Sequence, residues 1–212
     1  AHVAAPGESL LFVDSDTVFT ADPAPLFAAI GPQRVVLDEL EGTVQSCRKH
    51  TRSLGKLHQR LKRHVPTVNG ERWPIPPDYP LWNSGVIGFC QSDLALFDVT
   101  VALIDDLYRA IPIVTIEQIA LSFVLTRQGF AVQDDGDLVF HYHFFKEFRA
   151  DLAAFFARYQ GLGTAALLSH LHEIAPQVRA QPKLRFNQRA KLVRQLLKRL
   201  GLGWQPLPYP WD

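Results

Sequence analysis

The stretch LLFVDSDTVF, Leu10–Phe19, joins a short apolar run to two carboxylates, Asp14 and Asp16, that stand one residue apart. Leu10–Val13 is short and wholly apolar, which is typical of a strand buried in a parallel sheet. The carboxyl ends of such strands are where ligands bind in open α/β sheets, and carboxylates there suit hard cations. Taken alone, Asp-x-Asp is more often a turn or a helix cap, because Asp side chains readily hydrogen-bond nearby backbone.

Outward from this stretch, predicted strands alternate with predicted helices, which indicates an α/β fold. Further strands are predicted at Arg34–Leu40, at the end of WNSGVIGF (Trp82–Phe89), and at 130–133 and 138–142. Helices are predicted after Pro23 and at Ser92–Ala110, Thr115–Thr126, Lys146–Tyr159, Thr164–Ile174 and Gln188–Leu200. PIPPDYP, residues 74–80, is a proline-rich connection for which no regular structure is predicted.

Composition excludes several classes of protein. The chain has 212 residues, of which 47% are hydrophobic and 20% charged, so it can bury a sizeable core. No apolar run is long enough to span a membrane, and the first residues lack the pattern of a signal peptide. The two cysteines, Cys47 and Cys90, are in no metal-ligand spacing. We therefore expect free thiols and a cytoplasmic protein.

Three further motifs follow the aspartates in order: WNSGVIGF at 82–89, TIEQIALSFVL at 115–125 and VFHYHFFKEF at 139–148. Together with LLFVDSDTVFTADPAPLF they resemble motifs of the nucleotide-sugar-dependent glycosyltransferases of the GT-A type. The resemblance is strongest to the group that contains glycogenin and the bacterial lipopolysaccharide hexosyltransferases. It implies a GT-A-like, Rossmann-like mixed sheet flanked by helices, and a hexosyltransferase whose donor is a nucleoside-diphosphate sugar. The acceptor would be a glycan or a lipid-linked molecule.

The resemblance also implies a metal site. Asp14 and Asp16 would bind Mn²⁺ or Mg²⁺, with His141 as the third ligand and His143 as an alternative to it. Asp14 would also contact the donor, and Lys146 would neutralise the leaving diphosphate.

A sugar pocket is implied on the same grounds. Asn83, Ser84 and Gly85 would contact the sugar. Glu117 and Gln118 would stand where the family places an acidic and an amide side chain near the reacting sugar, and are the catalytic candidates. Considered alone, the first trio is an ordinary turn and Glu117 an ordinary acid of a first helical turn.

The sequence departs from the family in two places. HYHFFKEF lacks the glycine and the Pro-Trp pair of the family motif, which weakens the assignment of Lys146. The family also carries its base- and ribose-binding strands before the Asp-x-Asp, whereas few residues precede Leu10 here. We expect either that those strands lie upstream of this sequence or that the fold is degenerate. The predicted division is a catalytic domain, 1–147, and a helical, basic C-terminal extension, 148–212.

Two segments are strongly basic, Arg48–Arg63 and Arg179–Arg199. Solvated helix faces are the simplest interpretation. In the second segment, leucines and Val193 fall on one helical stripe, which suits either docking on the domain or peripheral contact with an anionic membrane surface. Nucleic acid ranks lower as a partner, because no recognised nucleic-acid module accompanies the charge.

Two other functions stay open. One is a non-catalytic GT-A-like binding or scaffold protein that contacts membrane or polyanion through its basic helices. The other is a metal-dependent phosphohydrolase, which shares the Asp-x-Asp but explains neither WNSGVIGF nor EQIALSF. The residues establish neither the donor sugar and base nor the stereochemical course.

Overall fold

The computed structural model describes residues 7–47, 52–110, 112–113, 115–209 and 211. It divides into two compact units. The first contains residues 7–15 and 21–139, and the second contains residues 16–20 and 140–211. Asp14 therefore belongs to the first unit, whereas Asp16 and the four residues after it belong to the second.

The described strands and helices alternate along most of the chain. The strands are β1 Ser9–Val13, β2 Thr17–Phe19, β3 Arg34–Leu37, β4 Leu40–Thr43, β5 Thr67–Val68, β6 Glu71–Arg72, β7 Pro80–Trp82, β8 Val86–Cys90, β9 Ala131–Asp134 and β10 Val139–His141. The helices are α1 Ala24–Ala29, α2 Val44–Cys47, α3 Arg52–Leu61, α4 Ala95–Ala110, α5 Ile116–Arg127, α6 Phe148–Arg158, α7 Thr164–His170, α8 Pro176–Asn187 and α9 Lys191–Arg199.

The main sheet of the first unit has the order β1-β8-β3-β9. Strand β8 is antiparallel to both β1 and β3, and β9 is parallel to β3. Strands β1, β3 and β9 therefore run in one direction and end at the same edge of the sheet, where β8 begins. The mixed α/β sheet expected from the sequence is confirmed.

Helices cover both faces of this sheet, because the buried side chains of β3 alternate between them. Val36 packs with Leu26 and Ile30 of the α1 region, whereas Val35 and Leu37 pack with α4 and α5. Helix α5 is buried on nearly all sides, as its long apolar run requires. Both faces of the sheet are thereby packed against helices, and the loops at its carboxyl edge follow from packed strands.

The second unit is held together by aromatic side chains. Tyr142, Phe145, Phe148 and Phe155 are buried in one cluster with Ile174. The cluster receives residues of α6, α7 and α8, and also Val18 of β2. This packing, with the pairing of β2 and β10, explains why residues 16–20 belong to the second unit.

The predicted elements are largely present, and the structure corrects several of them. Ser92 lies within a short 3₁₀ turn, Gln91–Asp93, and so does not cap α4. The strand predicted at Arg34–Leu40 ends at Leu37 as β3, and β4, which was not predicted, begins at Leu40. Pro80, in the proline-rich connection, begins β7, which pairs with β4. Helix α8 was not predicted, because Pro182 stands inside it.

The first basic segment falls partly on α3, while Arg48 and Lys49 lie outside the described residues. Lys56 and Arg60 are exposed, and Leu57 and His58 of the same helix are buried. This is the solvated basic face that the sequence favours. Within the described part of the chain, no helix is both long enough and apolar enough to cross a bilayer.

Candidate metal centre

Asp14 directly follows β1 at the carboxyl edge of the sheet. Its backbone N–H donates to the carbonyl oxygen of Gly85 at 2.8 Å, which continues the β1-β8 ladder by one bond. The backbone of Asp14 is therefore fixed by the sheet rather than by a turn of its own. A carboxylate held at this edge is where the sequence predicted a ligand-binding group.

His141 ends β10 and lies beside Asp16. The backbone N–H of Tyr142 donates to the carbonyl oxygen of Asp16 at 2.9 Å, which sets the register of the two segments. His141 Nε2 lies 3.3 Å from Asp16 Oδ1, and the two side chains are 9% and 18% exposed. The His143 ring stacks edge-on against that of His141, with centroids 4.6 Å apart.

Asp14, Asp16 and His141 each offer one ligand atom, and these three atoms lie within 4.8 Å of one another. Two carboxylates and one imidazole suit Mn²⁺ or Zn²⁺ well, and Mg²⁺ less well, because imidazole is a borderline ligand. The residues fit a divalent cation. Of the described residues, His143 does not join this group, so His141 is the better ligand of the two.

A second polar cluster, the Glu41 cluster, consists of Glu41, Asn83 and Gln118 in the first unit. Asn83 Nδ2 donates to Glu41 Oε1 at 3.0 Å, and Gln118 Nε2 donates to Glu41 Oε2 at 2.8 Å. Asn83 Oδ1 accepts from the N–H of Gly85 at 2.9 Å. Asn83 is thus orientated at both ends of its amide, and Gln118 at its nitrogen. Asn83 and Gln118 are buried.

The Glu41 cluster is connected to the residue that holds Asp14. Gly85 accepts the backbone hydrogen bond of Asp14 and donates to Asn83. One turn therefore positions both a candidate metal ligand and the amide expected to contact the sugar.

The other predicted site residues are less constrained. Ser84 is half-buried between Asn83 and Gly85, whereas Glu117 is exposed on the first turn of α5. Of the predicted acidic and amide pair, only Gln118 therefore joins the Glu41 cluster. Lys146 is exposed in the turn between β10 and α6.

Sequence reasoning missed two acids that also end strands at the carboxyl edge. Asp38 follows β3 and Asp135 follows β9, and both are buried. Asp135 Oδ1 accepts from the N–H of Asp137, while Oδ2 is buried without a hydrogen-bond partner among the described residues. Burial and the neighbouring Asp38 raise the pKa of Asp135 to about 6. Their position after apolar strands, as for Asp14, was the available signal.

Glu41 was also missed, because it lies just beyond the predicted strand Arg34–Leu40, in β4, which was not predicted from the sequence. Comparisons of the chain with protein-family models, with curated proteins and with solved structures gave no match. Function is therefore inferred from these residues and their geometry, together with the short motifs.

Proposed function

We propose that this protein is a metal-dependent glycosyltransferase that moves a hexose from a nucleoside-diphosphate sugar to a glycan or lipid-linked acceptor. The observation that supports it best is the group formed by Asp14, Asp16 and His141, whose ligand atoms lie within 4.8 Å. Chance does not readily bring a histidine from a distant strand beside an Asp-x-Asp loop, and the resemblance of the motifs implies the same three ligands.

The three ligands would hold Mn²⁺ or Mg²⁺. When bound, the cation would stabilise the negative charge that develops on the diphosphate as the glycosidic bond breaks. Asp14 and Asp16 supply two anionic oxygens, which leaves a site of this kind to be completed by phosphate oxygens. Lys146, exposed near the end of β10, is a second positive charge for the diphosphate.

The Glu41 cluster supplies the polar groups for the sugar. Glu41 fixes the nitrogen ends of Asn83 and Gln118, so neither amide needs to reorganise when a sugar hydroxyl binds. Carboxylate and amide groups together both accept and donate, as sugar hydroxyls require. Ser84, between Asn83 and Gly85, adds a hydroxyl, and Glu117 is a further acid at the start of α5.

A thermal-shift series tests the proposal. Nucleoside diphosphates and sugar nucleotides are added singly, with and without Mn²⁺, to the wild-type chain and to Asp16→Asn and His141→Gln. We expect one nucleotide to raise the melting temperature only when Mn²⁺ is present, because a ligand that binds the folded state stabilises it. Both variants should lose the metal-dependent part of this shift.

The matched control is Asp98→Asn, which removes an exposed carboxylate of α4. It should behave as the wild type does. Binding of equal strength without metal, or a Mn²⁺-dependent shift that survives both Asp16→Asn and His141→Gln, would contradict the proposal.

The identity of the released products distinguishes glycosyl transfer from the two alternative functions. A phosphohydrolase would liberate phosphate from simple phosphate esters, whereas a glycosyltransferase without acceptor slowly releases free sugar and nucleoside diphosphate. A non-catalytic binding protein would do neither, and its contacts with membrane or polyanion would persist in Asp14→Ala and Asp16→Ala.

A further inference from the structure

Helix α9 divides into an apolar side and a basic side. Leu192, Leu196 and Leu200 follow one another at intervals of four residues, so they lie along one stripe of the helix and its cap. The opposite side carries Lys191, Arg194 and Lys198, and Arg199 lies beside the leucine stripe. The helix is strongly amphipathic, as a helix that binds an apolar surface must be.

The apolar side points away from the protein. Leu192, Leu196 and Leu200 are 79%, 57% and 62% exposed, and Leu202 just beyond the helix is 62% exposed. Arg194, on the basic side, is only half-exposed, and its Nε is buried. A helix that merely packed on its own domain would show the reverse arrangement. Leu197 is half-buried, so the leucines that stay exposed to solvent are those at 192, 196, 200 and 202.

The surroundings of this leucine face are positively charged. No Asp or Glu occurs between Glu173 and Asp212. Helices α8 and α9 and the loop between them carry exposed basic side chains at Arg185, Arg189, Lys191, Lys198 and Arg199. None of these five has an ion pair with a carboxylate in the described part of the chain. Their charge is available to an anionic partner.

We propose that the leucine face of α9, formed by Leu192, Leu196, Leu200 and Leu202, inserts shallowly into an anionic lipid surface. The leucines enter the boundary between headgroups and acyl chains, and the neighbouring Arg and Lys side chains contact the lipid phosphates. The apolar leucines and the basic side chains of α9 therefore each contact the part of the lipid that suits them. Nucleic acid would engage the charges and leave the leucines in water, whereas an anionic lipid surface engages both.

The proposal does not depend on the proposed glycosyl transfer, because vesicle binding is measured without metal or nucleotide. The complete chain is sedimented with vesicles of phosphatidylcholine, alone or mixed with phosphatidylglycerol. We expect binding to the mixed vesicles only, and weaker binding at high salt, since exposed charges are screened.

Two variants separate the contribution of the leucines to vesicle binding from that of the basic residues. Leu196→Asp should reduce the partition coefficient for mixed vesicles by about tenfold or more, because it places a charge on the inserted side. Lys198→Glu with Arg199→Glu should cause a loss of about the same size by reversing the charge. Both sites are exposed, so the fold is retained, which circular dichroism verifies.

The matched controls are Leu168→Asp, an equally exposed leucine of α7, and Lys62→Glu, an exposed lysine of the first unit. Both should bind vesicles as the wild type does. Equal loss in the controls, or binding to mixed vesicles that Leu196→Asp leaves unchanged, overturns the proposal. So does a dimer in sedimentation equilibrium that Leu196→Asp dissociates, because the leucine face would then bind a second copy.

Discussion

Arg179 in α8 donates hydrogen bonds from Nε and Nη2 to the two carboxylate oxygens of Asp151 in α6, and the two side chains are only 5% and 7% exposed. The same guanidinium donates to the carbonyl oxygens of Leu207 and Pro208. One buried cation thus joins two helices and the C-terminal segment of the second unit.

Loss of one partner of this pair should be costly. We expect Asp151→Asn or Arg179→Met to lower the free energy of unfolding by about 3–5 kcal/mol, because a buried charge is left without its counter-charge. Urea unfolding measures the loss. Glu147→Gln is the control: it breaks the more exposed pair with Lys183 and should cost about 1 kcal/mol or less. Equal effects would mean that burial does not set the cost.

Asp135 should make stability depend on pH. Its pKa is raised to about 6 by burial and by Asp38, whereas in the unfolded chain it is near 3.8. Between these values the folded chain binds more protons than the unfolded chain, so the free energy of unfolding falls as the pH rises from about 4 to about 6. Above about pH 6 the ionisation of Asp135 no longer changes the free energy of unfolding with pH.

Asp135→Asn should abolish this fall, because the amide cannot ionise and still offers Oδ1 to the N–H of Asp137. We expect the variant to be more stable than the wild type by about 1–2 kcal/mol above pH 6 and no more stable below about pH 4. Melting temperatures across the pH range measure the difference. A gain of the same size at every pH would argue against titration of Asp135 as the cause.

The proposed function makes Glu41 a selective position. Glu41→Gln turns one amide hydrogen bond of the Glu41 cluster into a donor facing a donor, so Asn83 or Gln118 loses its orientation. We expect the affinity for the sugar nucleotide to fall by about tenfold, while the affinity for the nucleoside diphosphate with Mn²⁺ is unchanged. Calorimetric titration of the two ligands compares them directly.

Gln45→Glu is a suitable control for this change, since Gln45 is exposed just beyond β4. It alters the local charge without contacting the cluster. If Glu41→Gln lowered the affinity for both ligands equally, Glu41 would support the fold rather than the binding of the sugar.

Close packing across the sheet should make Gly88 intolerant of a side chain. A Cβ at Gly88 would lie 2.7 Å from Ile30 Cδ1 and 3.1 Å from Val36 Cβ. Gly88→Ala should therefore lower the free energy of unfolding by about 1–3 kcal/mol. Gly163→Ala, where no atom lies within 4 Å, should cost about 1 kcal/mol or less. Comparable losses would mean that crowding by Ile30 and Val36 does not set the cost at Gly88.

The sequence was most informative where one strand and its polar end are adjacent in the chain. Leu10–Val13 predicted the position of β1 closely, and Asp14 and Asp16 follow it. The expected burial in a parallel sheet was wrong, because β1 is half-buried and its partner β8 is antiparallel to it. His141 could be connected with them only through the resemblance of the motifs, since no local pattern relates two distant segments. Glu41 could not be found at all, because its role depends on Asn83 and Gln118 folding against it.

Helix α8 shows how tertiary packing overrides a local signal. Pro182 removes a backbone donor inside the helix, and that residue argues against a helix in the sequence. Buried contacts of Arg179, Ala180 and Phe186 nevertheless hold the segment in place. The hairpin of β5 and β6 was missed for the opposite reason. Its strands are only two residues each, although Asn69 and Gly70 both take the positive φ of a tight hairpin turn.

The strand order β1-β8-β3-β9 also governs when the protein can fold during synthesis. Strand β3 has no partner in the main sheet until β8 has been made, because β8 lies between it and β1. The ribosome therefore releases two aspartates on an unpaired strand, long before the histidine that completes their group. Such non-local pairing slows folding, and the edges of β1 and β3 stay open to chaperones until β8 has been made.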